Sequence, residues 1–167
     1  ADPAIDAVSV CTVNDSHARI AIAALRAGKN VLCEKPMAVT LEECEAMLSA
    51  ARESGKRLMI GHNQRLAPAH KKAKELLAAG ELGRVISFQS TFGHKGPEMW
   101  SMDRSANTWF FKKDSASFGS MADLGIHKID LVRYLIGSDI ESVYSTMKVL
   151  DKKFPDGRPI EVDDNSV

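Results

Sequence analysis

A-V-S-V-C-T-V-N-D-S-H-A-R-I-A-I-A-A-L-R-A-G-K-N-V-L-C-E-K-P, residues 7–36, decides the fold. It opens on a short apolar run, Ala7–Cys11, and reaches a second at Val31–Cys33. Between them Asn14-Asp15-Ser16 supplies N-cap side chains, and Ile20, Ala21, Ala24 and Leu25 recur at helical spacing before Gly28 stops the pattern. The unit repeats. Thr40-Leu41-Glu42-Glu43 reads as a capping box, Leu41, Cys44, Leu48 and Ala51 read as its inward face, and Gly55 ends it before a third run, Leu58–Ile60. Runs this short, with little alternation, predict strands covered on both faces. Strand, helix, strand, helix, strand is the pattern of a doubly wound α/β fold with a parallel sheet.

Such sheets bind ligands beyond the carboxyl ends of their strands. Thr12, Asn14 and His17 follow the first run, Glu34-Lys35-Pro36 the second, and Gly61, His62, Asn63 and Arg65 the third. Topology therefore gathers them on one edge. A charged pair directly after a buried strand, fixed by a proline, holds the Lys35 ammonium in one place. There it can donate hydrogen bonds or assist proton transfer. No Gly-x-Gly-x-x-Gly fingerprint occurs.

Past residue 65 the pattern changes. Pro68–Gly80 reads as a helix with Ala69, Ala73, Leu76 and Leu77 inward. Arg84–Phe92 alternates, as in a half-covered antiparallel strand, and Ile140–Leu150 does so in part. The expected division is 1–65, the remainder of a parallel-sheet domain, and 66–167, the first part of an α+β domain. Gly93–Ser117 is a long irregular segment carrying Trp100, Trp109, Phe110 and Phe111, suited equally to a binding lid and to an anchor on the core. His94 within it reads as a surface histidine.

Phe118–Gly137 reads as one amphipathic helix with Leu124, Leu131, Val132, Leu135 and Ile136 on its buried side. Asp123, His127, Asp130 and Tyr134 follow at steps of four, three and four, so they share a second stripe. A polar shoulder with His127 paired to Asp123 is the plain reading of that stripe. A reactive one requires partners from elsewhere, and Lys35 is the candidate.

Lysine plus arginine total 22, as do aspartate plus glutamate, so no broad basic field invites nucleic acid. The run His70-Lys71-Lys72-Ala73-Lys74 reads as a solvated helix face. No apolar run approaches a membrane span. The 3 cysteines lack metal-site spacing, which favours reduced thiols and a cytoplasmic setting; Cys11 and Cys33 read as small core residues. The histidines show no ligand spacing, so no metal is expected. Neither end reads as a natural boundary, and a fragment of a larger protein is expected.

D-A-V-S-V-C-T-V-N-D-S-H at 6–17, A-G-K-N-V-L-C-E-K-P at 27–36, G-E-L-G-R-V at 80–85 and A-D-L-G-I-H-K-I-D at 122–130 together resemble the glucose-fructose oxidoreductase / inositol dehydrogenase / rhizopine catabolism family (Gfo/Idh/MocA). Glu-Lys-Pro followed by Asp-x-x-x-His-x-x-Asp is the specific part of that match. The resemblance implies the C-terminal part of a Rossmann-type sheet, then the start of an α+β domain. It implies an NAD- or NADP-dependent oxidoreductase acting on a hydroxyl of a sugar, polyol or related small alcohol, with homo-oligomers (dimer or tetramer) common. It places catalytic roles on Lys35, Asp123 and His127, and cofactor contacts on Thr12, Asn14, His17, Glu34, Lys35, Pro36 and Asn63. By itself the piece is expected to be inactive. A non-catalytic sensor that binds a nucleotide or a sugar is the alternative, and an oligomerisation fragment a third. Two departures stand out. Phe110 follows Trp109 where many members have arginine, leaving Lys112 or Lys113 to substitute. Phe118-Gly119 replaces a glycine pair, which is expected to narrow the pocket.

Overall fold

The computed structural model describes residues 2–102 and 104–167. Strands β1 (Ala7–Val10), β2 (Asn30–Cys33) and β3 (Leu58–Ile60) form a parallel sheet in the order β1-β2-β3. The register sets Val8 beside Val31 and Leu58, and Val10 beside Cys33 and Ile60. The connecting helices α1 (His17–Arg26) and α2 (Leu41–Ser54) pack against each other on one face of it. Val10, Ala21, Leu25, Val31, Cys33, Met47 and Ala50 form the core between these layers, each 3% exposed or less. Burying them supplies the hydrophobic drive for this half.

The other sheet face is open, contrary to the expectation of two covered faces. Leu32 is 44% and Met59 58% exposed. The helices follow a strand order that never reverses, so both crossovers fall on the same side. Helix α2 has its capping box: the Thr40 side chain accepts from the Glu43 amide, and Glu43 reaches back to the Thr40 amide. Its fully buried residues, however, are Met47 and Ala50, with Ala51 packed beside them as expected. Leu41 is 69% and Leu48 46% exposed, because the helix is turned away from them. Asn14–Ser16 form a 3-10 turn leading into α1 and give it no side-chain cap. Cys11 lies just past β1 and is exposed, so it is not a core residue.

In the second half, α3 (Pro68–Ala78) begins on a proline, which is pre-set for a first helical turn. It packs on α5 (Ile126–Ile136), which Gly137 ends in a left-handed conformation, φ 78°. A four-residue helix, α4 (Lys113–Ala116), precedes α5. Strands β4 (Met147–Lys148) and β5 (Asn165–Ser166) pair antiparallel. A second small core joins Phe111, Phe154, Ile160 and Val162. Residues 84–92 carry strand alternation but pair with no strand among the described residues, and Ile86 is 88% exposed. An alternating segment needs a hydrogen-bonded neighbour to become a strand, and the described residues offer it none. No described helix is long and apolar enough to cross a membrane.

Candidate active site

The loop after β2 is fixed at several points. The Glu34 amide donates to the Val10 carbonyl at 2.9 Å, and the Glu34 carboxylate accepts from the Lys35 amide at 3.1 Å. The Lys35–Pro36 peptide bond is cis. The Pro36 carbonyl lies 2.7 Å from His17 Nδ1, while His17 Nε2 lies 3.1 Å from the Thr12 carbonyl. His17 is 1% exposed. It thus ties the loops after β1 and β2 together through the main chain. Asn14 Nδ2 donates to the Ala116 carbonyl at 2.9 Å and joins the first loop to α4.

Lys35 reaches across from this edge to the later helix. Its Nζ donates to Asp123 Oδ1 at 2.7 Å and to the Asp123 carbonyl at 2.9 Å. Both side chains are mostly buried, 15% and 19% exposed, so water screens the pair less than at an open surface. The helix bearing Asp123 is not one regular piece. Met121–Gly125 forms a single π-helical turn before α5, which widens the backbone where Asp123 sits. Such turns recur at functional sites.

His127 lies one turn further on and is 9% exposed. Among the described residues its buried Nδ1 has no hydrogen-bond partner, so the plain pairing with Asp123 is not what the structure contains. Its pKa is lowered, first by burial and then by the Lys35 ammonium; the Asp123 carboxylate opposes both. The imidazole is therefore neutral at pH 7. Its ring packs edge-on against Phe92, centroids 5.9 Å apart.

The stripe on this helix divides between two partners. Asp123 turns to Lys35, while Asp130 receives Arg65. Arg65 Nε donates to Asp130 Oδ2 at 2.8 Å, and its Nη2 to Oδ1. The Arg65 guanidinium also lies over the Tyr134 ring, 5.5 Å from its centroid. His62 Nε2 stands 3.8 Å from Asp130 Oδ1, with its pKa lowered chiefly by burial. Arg65 thereby fixes α5 against the turn after β3.

An open cleft of about 210 Å³ runs along the edge. Thr12, Asn14, Glu34, Lys35 and Asp123 line its polar side; Trp100, Trp109, Phe110 and Phe118 wall the other. Trp109 stacks on Phe110 at 3.8 Å, and Trp100 meets Phe110 edge-on at 5.1 Å. His17, Pro36, Asn63 and His127 do not line this cleft. Asn63 is exposed, and Lys112 lies in a different hollow with Arg158.

His94 is exposed, as its sequence reading has it, but it is engaged at the site: its Nδ1 accepts from the Gly96 amide at 3.0 Å, and its Nε2 stands 3.6 Å from Asp123 Oδ2. An accepting Nδ1 puts the ring proton on Nε2, facing the carboxylate. Its place straight after the alternation ending at Phe92 was the one sequence signal. Asp163 gave none, yet it grips the head of the same helix.

Comparison with known proteins follows this geometry. Residues 1–62 match the family model described as oxidoreductase family, NAD-binding Rossmann fold, and residues 70–167 match the GFO/IDH/MocA C-terminal domain. The chain is 41% identical over 148 residues to levoglucosan dehydrogenase of Pseudarthrobacter phenanthrenivorans, covering 87% of this chain and 37% of that protein. It is 36% identical to glucose-6-phosphate 3-dehydrogenase of Bacillus subtilis, covering 98% and 47%. The solved structure of levoglucosan dehydrogenase in complex with NADH and levoglucosan superposes with a TM-score of 0.82 at 36% identity, over 99% of this chain and 44% of that one. The chain spans less than half the length of each of these relatives. Two adjoining domain matches, in the order found here, show that the chain belongs to the GFO/IDH/MocA family of oxidoreductases.

Proposed function

We propose that the full-length protein is an NAD- or NADP-dependent dehydrogenase acting on a CH–OH group of a sugar or polyol. One observation carries the reading: Lys35, from the parallel-sheet edge, is locked onto Asp123 one turn ahead of a buried, neutral His127 whose Nδ1 has no hydrogen-bond partner among the described residues.

A nicotinamide dinucleotide suits the edge. Thr12, Asn14 and Glu34 stand past the carboxyl ends of the strands, where α/β sheets hold such ligands, and the aromatic wall gives the ring a flat apolar neighbour. Pro36 and His17 act on it through the loops they fix, and Asn63, just past β3, is proposed as a further contact. When bound, a nicotinamide dinucleotide would supply the hydride acceptor for alcohol oxidation, or the hydride donor in the reverse direction. Everything else is work for side chains. His127 takes the hydroxyl proton in the oxidising direction and donates it in the reverse. An ammonium has three donors; Lys35 gives two to Asp123, and the third remains for the reacting oxygen. There it steadies charge as the proton leaves. Asp123 positions Lys35 and offsets its charge beside the imidazole.

The division at residues 65 and 66, a cytoplasmic setting and a homo-oligomeric assembly belong to the same proposal. The free thiols of Cys11, Cys33 and Cys44 support the setting.

The test is turnover by the full-length protein with NAD and NADP against a panel of sugars and polyols. Reduction of the dinucleotide by at least one, lost in His127→Ala, is the expected result. Tight dinucleotide binding without turnover on any of them would favour a sensor instead.

A further inference from the structure

We infer that Asp163 is a positioning residue for the reaction, holding the head of the helix that carries Asp123 and His127; the inference rests on the function proposed above. Asp163 lies far along the chain, next to β5. Its Oδ1 accepts from the Gly119 amide at 2.8 Å, and its Oδ2 accepts from the Met121 amide at 2.9 Å and the Ser120 hydroxyl at 2.6 Å. Its carbonyl oxygen accepts from the Ser120 amide at 2.8 Å. Four donors from three consecutive residues thus end on one aspartate.

Three of these donors are free amides at the start of a helical segment, where a carboxylate also meets the favourable end of the backbone dipoles. The grip is close. A Cβ built on Gly119 would stand 1.8 Å from the Asp163 carbonyl oxygen, so only glycine fits there. Just upstream, Ser117 has φ 67°, a backbone state that residues with a Cβ rarely adopt. Such a state persists only where its surroundings enforce it. Asp163 holds the three residues that begin two positions on, up to the π-turn that carries Asp123.

The hydrogen bonds end at Met121, two residues short of Asp123, and Asp163 does not line the cleft along the sheet edge, though it borders a small hollow of about 70 Å³ that Asp123 and His94 also line. Its effect passes through the helix. The next residue, Asp164, accepts from the amides of Leu150, Asp151 and Lys152, which anchors the segment from which Asp163 reaches.

Asp163→Asn tests this in the full-length enzyme. An amide keeps one accepting oxygen and sets an N–H donor against another donor, so the grip fails on one side. A small displacement of reacting groups costs roughly 10- to 100-fold in rate. The folded variant should lose kcat on that scale, keep its KM for the dinucleotide and shift the acid limb of its pH profile, and Asp163→Glu should regain part of the rate. Wild-type kcat and pH profile, or a lowered melting temperature with unchanged kcat per folded molecule, would overturn the inference. Should Asp163→Asn fail to fold, Ser120→Ala removes one donor only. A several-fold fall in its kcat without a change in melting supports the grip, and a wild-type kcat overturns it. His127→Ala runs alongside. If the wild type turns over no sugar or polyol, the proposed function itself fails; if His127→Ala retains turnover, the role given to His127 fails; if it is dead while the Asp163 variants behave as wild type, only the positioning role falls.

Discussion

Lys35 Nζ and Asp123 Oδ1, 88 positions apart in the chain, lie 2.7 Å from each other and join the parallel sheet to the helix of the second half. With the Asp123 carbonyl as a second acceptor, the ammonium has two fixed contacts. Lys35→Ala removes the charge that steadies the reacting oxygen. Losing one preorganised donor costs about 10²–10³ in kcat, and steady-state kinetics of the full-length enzyme should show a loss of that order. Lys35→Arg should not restore it, because a planar guanidinium cannot repeat the compact geometry. Near-wild-type turnover in Lys35→Ala would remove Lys35 from the chemistry.

The acidic side of the pH profile reports His127. Burial, then the Lys35 charge, lower its pKa below the usual 6.5. As a base it must be neutral, so kcat/KM for alcohol oxidation should fall with an apparent pKa below that value. The same shift has a stability consequence. Above pH 6.5 both folded and unfolded states hold a neutral imidazole. As pH drops below 6.5, the unfolded chain takes up the proton first and stability declines; the decline ends once pH passes the folded pKa. His62 is lowered in the same direction and adds to it. Thermal melts across this range should show the fall, and it should lessen in His62→Gln.

Gly119→Ala should destabilise the protein, since its new Cβ would meet the Asp163 backbone. Forced overpacking costs typically about 1–3 kcal/mol, occasionally more. Denaturant titration should read a loss in that range, and a variant as stable as wild type would show that the two segments do not meet so closely.

The cysteines should separate by reactivity. Cys33 is buried and its pKa is pushed up to about 11, first by burial and then by Glu34 and Cys11, so it stays protonated and inert. Cys11 is exposed and lines the cleft. Alkylation followed by peptide mapping should modify Cys11 and spare Cys33, with bound dinucleotide slowing the reaction at Cys11.

Local signals account for what the residues revealed on their own. Apolar runs, Gly28, Gly55 and the Thr40–Glu43 box mark out the parallel unit, because each works within a few residues. The spacing of Asp123 and His127 marks one helix face for the same reason. What escaped depends on contacts distant in the chain. The open sheet face follows from both crossovers falling on one side, and the exposure of Leu41 from how α2 is turned. Residues 84–92 have the alternation of a strand but no pairing neighbour among the described residues. His94 sits near Asp123 only because the loop folds back, and Asp163 reaches Gly119 across 44 positions with no motif around it.

The most direct measurement is a crystal structure of the full-length protein with its dinucleotide and a sugar or polyol that it oxidises. The reacting hydroxyl should lie within about 2.6–3.2 Å of Lys35 Nζ and of a ring nitrogen of His127. A reacting hydroxyl held by other residues, with Lys35 and His127 both turned away from its carbon, would contradict the account.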